Sequence, residues 1–156
     1  MRRGLTVATK ASSRASDDSV LTGLVGYNCR RAYVQIRKTF IDRMSVYELR
    51  PVDFSVLAVL HANAGITQKR LSMALSISPP NLAVLLDRLQ ERGLVARERN
   101  PDDGRSQVLS LTAAGIRMAE QASQTAESLE REATQMLSDT ERRTLIRLLR
   151  KIYQPD

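Results

Sequence analysis

The chain has 156 residues, which suits one domain or one domain with an extended helical arm, and its 24 Lys and Arg residues against 17 Asp and Glu give a formal net charge of +7. A basic excess of this size favours a polyanionic partner. One cysteine and one histidine exclude a disulfide scaffold and a structural zinc site, and neither a secretory signal nor a membrane-length apolar run is visible. We therefore expect a cytoplasmic protein that needs no metal or cofactor.

The first part of the chain predicts two helices behind a loose arm. Residues 1–18 show no helical or strand periodicity and are interpreted as a flexible N-terminal arm. Pro51 suits the first turn of a second helix, PVDFSVLAVLH, which ends at Asn63 to Gly65. Between the arm and this second helix, apolar residues recur every three or four positions and predict a first helix of about 26 residues that begins at Ser19. Its apolar stripe is formed by Leu21, Val25, Cys29, Ala32, Tyr33, Ile36, Phe40 and Met44.

Two short helices follow in close order. Thr67 is a capping residue for the helix TQKRLSMAL, and after a break at Ser76 and Ile77 comes Ser78, an N-cap candidate for a helix that begins with two prolines. Gly93 supplies a left-handed C-cap. The second helix is two-sided: one face carries Leu82, Leu85, Leu86 and Leu89, and the other carries Asn81, Val84, Asp87 and Arg88.

The remaining residues predict a hairpin and two more helices. The segments VARER and SQVLSL read as strands joined by the turn formers of NPDDGR. Thr112 caps a long helix that extends to about Leu137, and Ser138 and Glu141 have the spacing of a capping box before a last helix. The long helix presents only a thin apolar stripe, which requires a partner helix, and the last one places Leu145, Leu148, Leu149 and Ile152 on one face.

The order of helix, tight break, helix and charged hairpin is typical of a winged helix-turn-helix. In this arrangement the second helix enters the major groove of DNA, where its N-terminal residues reach base edges. Arg105 lies at the predicted hairpin tip beside Asp103 and can enter a minor groove, whose negative potential attracts arginine. The elements together predict a mainly α fold with a small β-hairpin wing.

From about Leu24 to Leu149 the chain resembles the MarR family of bacterial transcriptional regulators. The most specific match is the segment DGRSQVLSLTAAG, from Asp103 to Gly115, in which an Asp-x-Arg wing leads into L-T-x-x-G. The resemblance implies a homodimer that binds an inverted-repeat operator in double-stranded DNA, and many members are repressors released by a small effector. It divides the chain into an arm (1–18), a dimerisation helix (19–48), a winged helix-turn-helix DNA-binding lobe (49–111) and C-terminal dimerisation helices (112–156).

The resemblance also assigns DNA contacts by position. Recognition-helix contacts fall on Ser78, Pro79, Pro80, Asn81 and Arg88, wing contacts on Asp103 and Arg105, and phosphate contacts of the preceding helix on Thr67, Gln68 and Lys69. Prolines and Val84 stand where the family usually has Ser, Thr and often Arg. Direct readout is therefore expected to use the Asn81 amide on adenine and apolar contacts from the prolines and Val84 to a thymine methyl. Three arginines beside this helix, Arg97, Arg99 and Arg105, suit contacts with phosphates and a groove.

An effector pocket is a second expectation from the family, which places it between the first two helices and the winged lobe. The basic surroundings of the first helix and the family habit favour an aromatic carboxylate or its thioester. Alternatives remain for each residue: the aromatic rings can be plain core, the arginine a solvated face, and the histidine a helix-end residue that faces the last carbonyls. The candidates are Tyr27, Arg31, Tyr33, Phe54 and His61.

Other functions were weighed against the DNA-binding regulator. Cys29 permits a redox-responsive regulator of the same fold, although its place in the apolar stripe favours a buried packing role. An enzyme is disfavoured, because no nucleophile elbow, phosphate-binding glycine loop or metal spacing is present. A further alternative is a helical interaction module that does not bind DNA. The leading hypothesis is a repressor of a catabolic or efflux operon.

Overall fold

The computed structural model describes residues 19–100 and 107–154. The predicted arm at 1–18 and the wing tip with Asp103 and Arg105 lie outside these described residues. Within them the mainly helical fold with a small β wing is confirmed. The elements are α1 (Ser19–Thr22), α2 (Val25–Met44), a 3-10 turn (Ser45–Tyr47), α3 (Pro51–Ala62), β1 (Ile66–Thr67), α4 (Gln68–Leu75), α5 (Pro79–Glu91), β2 (Val95–Arg99), β3 (Gln107–Leu111), α6 (Ala113–Ala133) and α7 (Asp139–Tyr153).

The chain forms two compact units, of which the first ends at Tyr33 and the second begins at Val34. In the first unit the prediction of one unbroken helix from Ser19 is wrong, because α1 ends at Thr22 and α2 begins at Val25. The Asn28 side-chain amide donates to the carbonyl oxygens of Thr22 and Leu24, each at 2.8 Å. A side chain that satisfies these carbonyls offers the backbone an alternative to the helical ladder, which accounts for the break.

The apolar stripe of α2 is only partly covered within one chain. Phe40 and Met44 are buried, as the stripe predicts, whereas Val25 and Tyr33 are 65% and 55% exposed. Cys29 is exposed as well, so the prediction of a buried Cys29 is wrong for the single chain. Periodicity shows that a helix face is apolar but does not show what covers it.

The core of the second unit is built from leucine and valine side chains of several elements. The leucine face predicted for α5 is confirmed, since Leu82, Leu86 and Leu89 are fully buried and Leu85 is half-buried. Phe40 and Phe54 pack at the edge of this core with ring centroids 5.9 Å apart. Further members of the core are Leu49, Val56, Leu57, Leu60, Leu71, Leu94, Val95, Leu109, Ala119, Ala122 and Leu129.

The sheet has three antiparallel strands in the order β1-β3-β2. The predicted hairpin is confirmed: β2 pairs with β3 in a register that sets Arg97 opposite Leu109. The short strand β1 was not predicted, because two residues carry no alternation that a sequence pattern could reveal. It sets Ile66 opposite Leu109 on the other side of β3 and so joins the start of α4 to the wing.

The start of α6 packs against Leu94, which follows α5, so closely that Gly115 has no space for a side chain. Thr112 caps α6 as predicted, since its Oγ1 accepts from the Gly115 amide at 3.0 Å. The Thr112 amide donates to the Leu94 carbonyl oxygen at 3.1 Å. A Cβ at Gly115 would lie 2.0 Å from that same oxygen. The L-T-x-x-G sequence therefore has a packing reason at its last position.

The long helix α6 ends at Ala133, four residues before the predicted end. Its buried side chains, which include Ala119, Ala122 and Leu129, face the core, and the helix packs against α3 of the same chain. The Tyr47 hydroxyl and Thr125 Oγ1 lie 2.9 Å apart beside this contact. The requirement for a partner helix is thus met within the chain by α3, and the role of α6 in dimerisation stays a prediction.

The last helix, α7, has no buried residue. Its predicted capping box is confirmed: the Glu141 amide donates to Ser138 Oγ at 3.3 Å, and the Ser138 amide donates to Glu141 Oε2 at 2.8 Å. The predicted apolar face exists but is largely uncovered: Leu145, Leu148 and Ile152 are 43%, 49% and 64% exposed, and Leu149 is half-buried. Across residues 19–100 and 107–154, every helix lacks the length or apolar character needed to cross a membrane.

Candidate nucleic-acid interface

The turn between α4 and α5 is held by a short set of hydrogen bonds. Ser76 takes a left-handed backbone conformation, with φ of 52°, at the end of α4. Ser72 Oγ donates to the Ile77 carbonyl oxygen at 2.6 Å, and the Ile77 amide donates to the Ser72 carbonyl oxygen at 3.1 Å. These contacts fix the angle between two helices whose apolar faces share one core, which is the geometry of a helix-turn-helix.

The first turn of α4 presents the predicted phosphate-contacting residues at or near the surface. Thr67 is the N-cap, and its Oγ1 accepts from the Arg70 amide at 3.3 Å. Gln68 is half-buried and Lys69 is exposed. Arg70 is also exposed, and the sequence interpretation left it out although it directly follows Lys69. A helix N-terminus with two adjacent cations suits a phosphate oxygen.

The first turn of α5 is the most exposed part of that helix. Ser78, Pro79, Pro80 and Asn81 are all exposed, and Val84 one turn later is 66% exposed. Ser78 occupies the predicted N-cap position, but its side chain makes no capping hydrogen bond. The two prolines have no N–H. The side-chain amide of Asn81 is therefore the polar group best placed to donate a hydrogen bond from this turn.

Arg88 does not lie on the outer face as we predicted. Its Nη2 donates to Oδ1 of Asp53, and the Arg88 side chain is 30% exposed whereas Asp53 is 1% exposed. The position on the helix was assigned correctly, but a buried carboxylate on α3 draws the guanidinium inward. Burying a charge is costly unless it is paired, so Arg88 is committed to Asp53.

Of the basic residues predicted for the wing, Arg97 is paired within the chain and Arg99 is exposed. Arg97 on β2 forms an ion pair with Asp87 of α5 at 2.6 Å and donates to the Ala83 carbonyl oxygen at 3.3 Å. Its side chain is 20% exposed, and its Nε is buried without a hydrogen-bond partner in the described part of the chain. Arg97 therefore ties the wing to the recognition helix. Arg99, at the end of β2, is exposed and available to a phosphate.

Two further residues that contact the recognition helix region were missed at the sequence level. Asp53 stands two residues after Pro51, in a helix that otherwise reads as apolar. Arg92 donates from Nη1 to the Glu48 carbonyl oxygen and from Nη2 to the Tyr47 carbonyl oxygen, each at 2.9 Å. The spacing of Arg88 and Arg92, four positions apart on one helix face, was the available signal.

The predicted effector residues fall in both compact units, and each unit shows its own arrangement. In the first, Arg31 Nη1 donates to the Tyr27 hydroxyl at 2.8 Å with the guanidinium carbon 5.7 Å from the ring centroid, and Tyr33 is exposed. In the second, Phe54 packs on the core, and His61 Nε2 lies 3.7 Å from Glu120 Oε1. The packing of Phe54 agrees with the core alternative, and the effector roles of all five residues stay predictions.

The described residues offer no group of three or more His, Cys, Asp and Glu side chains that could hold a metal ion. An anionic ligand near α5 would instead contact the cations that have no ion-pair partner among these residues. Asp87 pairs with Arg97 and Asp53 pairs with Arg88. Among the described residues of this lobe, the exposed Lys and Arg side chains are Arg50, Lys69, Arg70 and Arg99, of which the last three belong to α4 and the wing.

Comparisons with known proteins agree with this geometry. A model of the MarR family matches residues 47–106. The multiple antibiotic resistance protein MarR of Escherichia coli K12 is 36% identical over 117 residues, which are 71% of this chain and 81% of that protein. The transcriptional repressor CouR, bound to a 23-mer DNA duplex, has a TM-score of 0.84 at 33% identity and covers 90% of this chain and 99% of its own.

The same fold occurs with small molecules bound. CouR bound to p-coumaroyl-CoA has a TM-score of 0.80 at 30% identity, with 90% of this chain and 99% of that chain covered. BpsR of Bordetella bronchiseptica, whose DNA binding is regulated by 6-hydroxynicotinic acid, has a TM-score of 0.80 at 27% identity, with coverage of 86% and 96%. With its winged helix-turn-helix lobe and these relatives, the chain belongs to the MarR family of DNA-binding transcriptional regulators.

Proposed function

We propose that this protein is a homodimeric, cytoplasmic repressor that binds an inverted-repeat operator in double-stranded DNA and is released by an aromatic acid or its thioester. The observation that carries the proposal is the exposed first turn of α5: the residues from Ser78 to Asn81 and Val84 are all exposed to solvent. A helix end of this kind, beside a two-stranded wing, fits the major groove.

The readout is assigned to a polar and an apolar component. Asn81 supplies a donor and an acceptor for an adenine edge, while Pro79, Pro80 and Val84 supply apolar surface for a thymine methyl. Lys69, Arg70 and Arg99 contact phosphates, and Arg105 of the wing enters the adjacent minor groove. Arg88 and Arg97, which are held by Asp53 and Asp87, support the helix rather than the DNA.

The homodimer rests on the uncovered apolar face of α7. Leu145, Leu148 and Ile152 lie along one side of a helix that has no buried residue, and a repeated operator requires two lobes. Two identical faces can cover each other in a two-fold arrangement.

The effector is proposed by chemical class. CouR binds an aromatic thioester and BpsR is regulated by an aromatic acid, and both are similar in fold to this chain. A ligand releases the operator only if it binds the geometry of the free protein better than that of the DNA-bound protein. Screening aromatic acids and their coenzyme A esters by thermal shift, then by competition against operator DNA, tests this part of the proposal.

The experiment that tests DNA recognition begins with a random library of duplexes. The wild-type protein is expected to select an inverted repeat, and Arg105→Ala and Asn81→Ala are expected to weaken binding to it. With the three cations assigned to phosphates in each of two lobes, log affinity should fall with log salt at a slope of about −5. Selection of no sequence, together with a flat salt dependence, would reject the function.

A second candidate, redox regulation through Cys29, gains support from the exposure of that residue. If it is correct, peroxide releases the wild-type protein from the selected duplex and does not release Cys29→Ser. Equal behaviour of the two proteins under peroxide would exclude it.

A further inference from the structure

The C-terminal half of α5 is attached to the segment that joins α2 to α3. Arg88 Nη2 donates to Oδ1 of Asp53, which is 1% exposed. One turn further along, at the C-cap of α5, Arg92 donates to the carbonyl oxygens of Glu48 and Tyr47, each at 2.9 Å. Two arginines on one face of the recognition helix therefore hold a single stretch of chain, residues 47–53.

The held segment is itself fixed. The second oxygen of Asp53, Oδ2, accepts from the Arg50 amide at 3.0 Å, which closes the first turn of α3. Glu48 has a left-handed backbone conformation, with φ of 51°, which a non-glycine residue adopts only where its surroundings demand it. The fork of Arg92 binds the carbonyl of this residue and that of its neighbour, so the strained turn and the helix hold each other in place.

The opposite end of α5 is held by neighbouring segments: by the hydrogen bonds between Ser72 and Ile77 in the preceding turn, and one turn into the helix by Arg97, which donates to the Ala83 carbonyl oxygen. Its first turn, from Pro79 to Asn81, is exposed, and the Ser78 side chain makes no capping bond. Asn81 and Arg92 are separated by about 16 Å along the helix at 1.5 Å per residue. A tilt of about 5° at the Arg92 end would move the reading end by about 1.4 Å, more than a hydrogen bond to a base edge tolerates.

We propose that Arg92, with the Asp53 and Arg88 pair, is a positioning residue for operator recognition: it sets the angle at which α5 meets the major groove without contacting DNA. This inference rests on the proposed DNA-binding function. It assigns sequence specificity to a contact at the junction of α2 and α3.

Arg92 is the residue to test, because it binds main-chain carbonyls and its removal leaves no buried carboxylate unpaired. Full-length Arg92→Ala and Arg92→Lys are compared with the wild type on two duplexes: the one that the wild type selects from a random library, and a scrambled duplex of equal length and composition. Arg147→Ala is the matched control, since it removes one exposed charge from α7. Thermal unfolding confirms that each variant is folded at the binding temperature.

We expect Arg92→Ala to lose at least tenfold in affinity for the selected duplex and less than twofold for the scrambled one, with the salt slope unchanged. Arg92→Lys, which keeps the charge but reaches one carbonyl, should show a smaller loss of the same kind. Arg147→Ala should change neither affinity. If Arg92→Ala does not fold, Asp53→Asn, which keeps the side-chain shape, carries the same expectation.

Two results would overturn the inference. Equal losses on both duplexes with a salt slope smaller in magnitude by about 2, one contact from each lobe, would make Arg92 a phosphate contact. Unchanged affinities in a folded variant would remove any role in recognition. A wild-type protein that selects no duplex at all contradicts the proposed function itself, and this outcome is seen before any variant is made.

Discussion

The winged lobe and the last helix of this chain differ in whether their apolar side chains are buried. In the lobe, the apolar side chains of α3, α4, α5 and the wing bury one another, and Leu57, Leu71, Leu82 and Leu109 are fully inaccessible. In α7 the apolar face is just as regular, yet no residue is buried. The same periodic signal therefore has two outcomes, depending on whether the chain supplies the opposing surface.

This contrast indicates which contacts belong to the protomer and which belong to an assembly. A closed core stabilises the lobe at any protein concentration, whereas an uncovered leucine face gains its burial energy only when another surface covers it. In the proposed dimer the lobe carries recognition and α7 brings two lobes together. The predictions below perturb one region at a time.

The largest effect is expected inside the lobe, at Gly115. In Gly115→Ala the new Cβ would lie 2.0 Å from the Leu94 carbonyl oxygen, a main-chain atom that is itself bound by Thr112. We expect the free energy of unfolding to fall by about 3 kcal/mol, the upper end of the range for overpacking. Urea unfolding followed by circular dichroism measures it.

Gly26→Ala is the control for this change, because a Cβ at Gly26 meets nothing within 4 Å. An alanine inside a helix is favoured over glycine by about 0.5–1 kcal/mol, so this variant should be as stable as the wild type or slightly more. Equal stability of Gly115→Ala and Gly26→Ala would show that α6 and Leu94 are not in close contact.

The next effect is expected at the uncovered face of α7. Leu148→Asp places a charge where the proposed dimer buries a leucine from each protomer, and we expect the dimer to weaken by about 100-fold, or about 2.7 kcal/mol. Sedimentation velocity over a range of concentrations measures it. Circular dichroism should show an intact lobe, and Arg147→Gln, a change one residue away, should leave the assembly unchanged.

A wild-type protein that sediments as a monomer at all concentrations would contradict the proposed use of this face. A dimer that Leu148→Asp does not weaken would show that the two copies meet elsewhere.

A smaller difference is expected between two N-caps within the lobe. Thr67 Oγ1 accepts a hydrogen bond from the Arg70 amide, whereas Ser78 occupies the same position on α5 without a capping bond. Thr67→Ala should therefore lower the free energy of unfolding by about 1 kcal/mol, and Ser78→Ala should lower it by clearly less. Parallel urea titrations compare them. A cost at Ser78 equal to that at Thr67 would mean that the serine caps its helix in solution.

The caps also show how far the sequence alone reaches. The start of α3 at Pro51 and the N-cap positions follow from residues that act locally, and each is found where it was predicted; the N-caps are Thr67, Ser78, Thr112 and Ser138. The leucine face of α5 and the hairpin strands follow from periodicity in the same way. What sequence reasoning missed depends on distant partners: the inward turn of Arg88 needs Asp53, which is 35 positions away, and β1 needs β3.

In the candidate site, too, local features could be predicted from the sequence and contacts between distant residues could not. The exposed first turn of α5 could be predicted, because helical spacing alone separates Asn81 and Val84 from the buried leucines. The division of the arginines could not, since Arg97 and Arg99 lie two positions apart on one strand and differ only in that Asp87 lies within reach of Arg97. Charge in a sequence shows how many cations are present but not which of them are paired.

The smallest effect concerns the first turn of α7, where a titrating group caps the uncovered helix. Hydrogen bonds from the Ser138 side chain and backbone lower the pKa of the exposed Glu141 carboxyl below its usual 4.5. A carboxyl with a lowered folded-state pKa adds stability above the unfolded value and loses it as the pH falls through the folded-state pKa. The difference in helix stability between wild type and Glu141→Gln should therefore be present above pH 4.5 and shrink below it. An NMR titration of the Glu141 carboxyl should give a midpoint below 4.5 that rises in Ser138→Ala, and a wild-type midpoint at or above 4.5 would show that the capping box is open in solution.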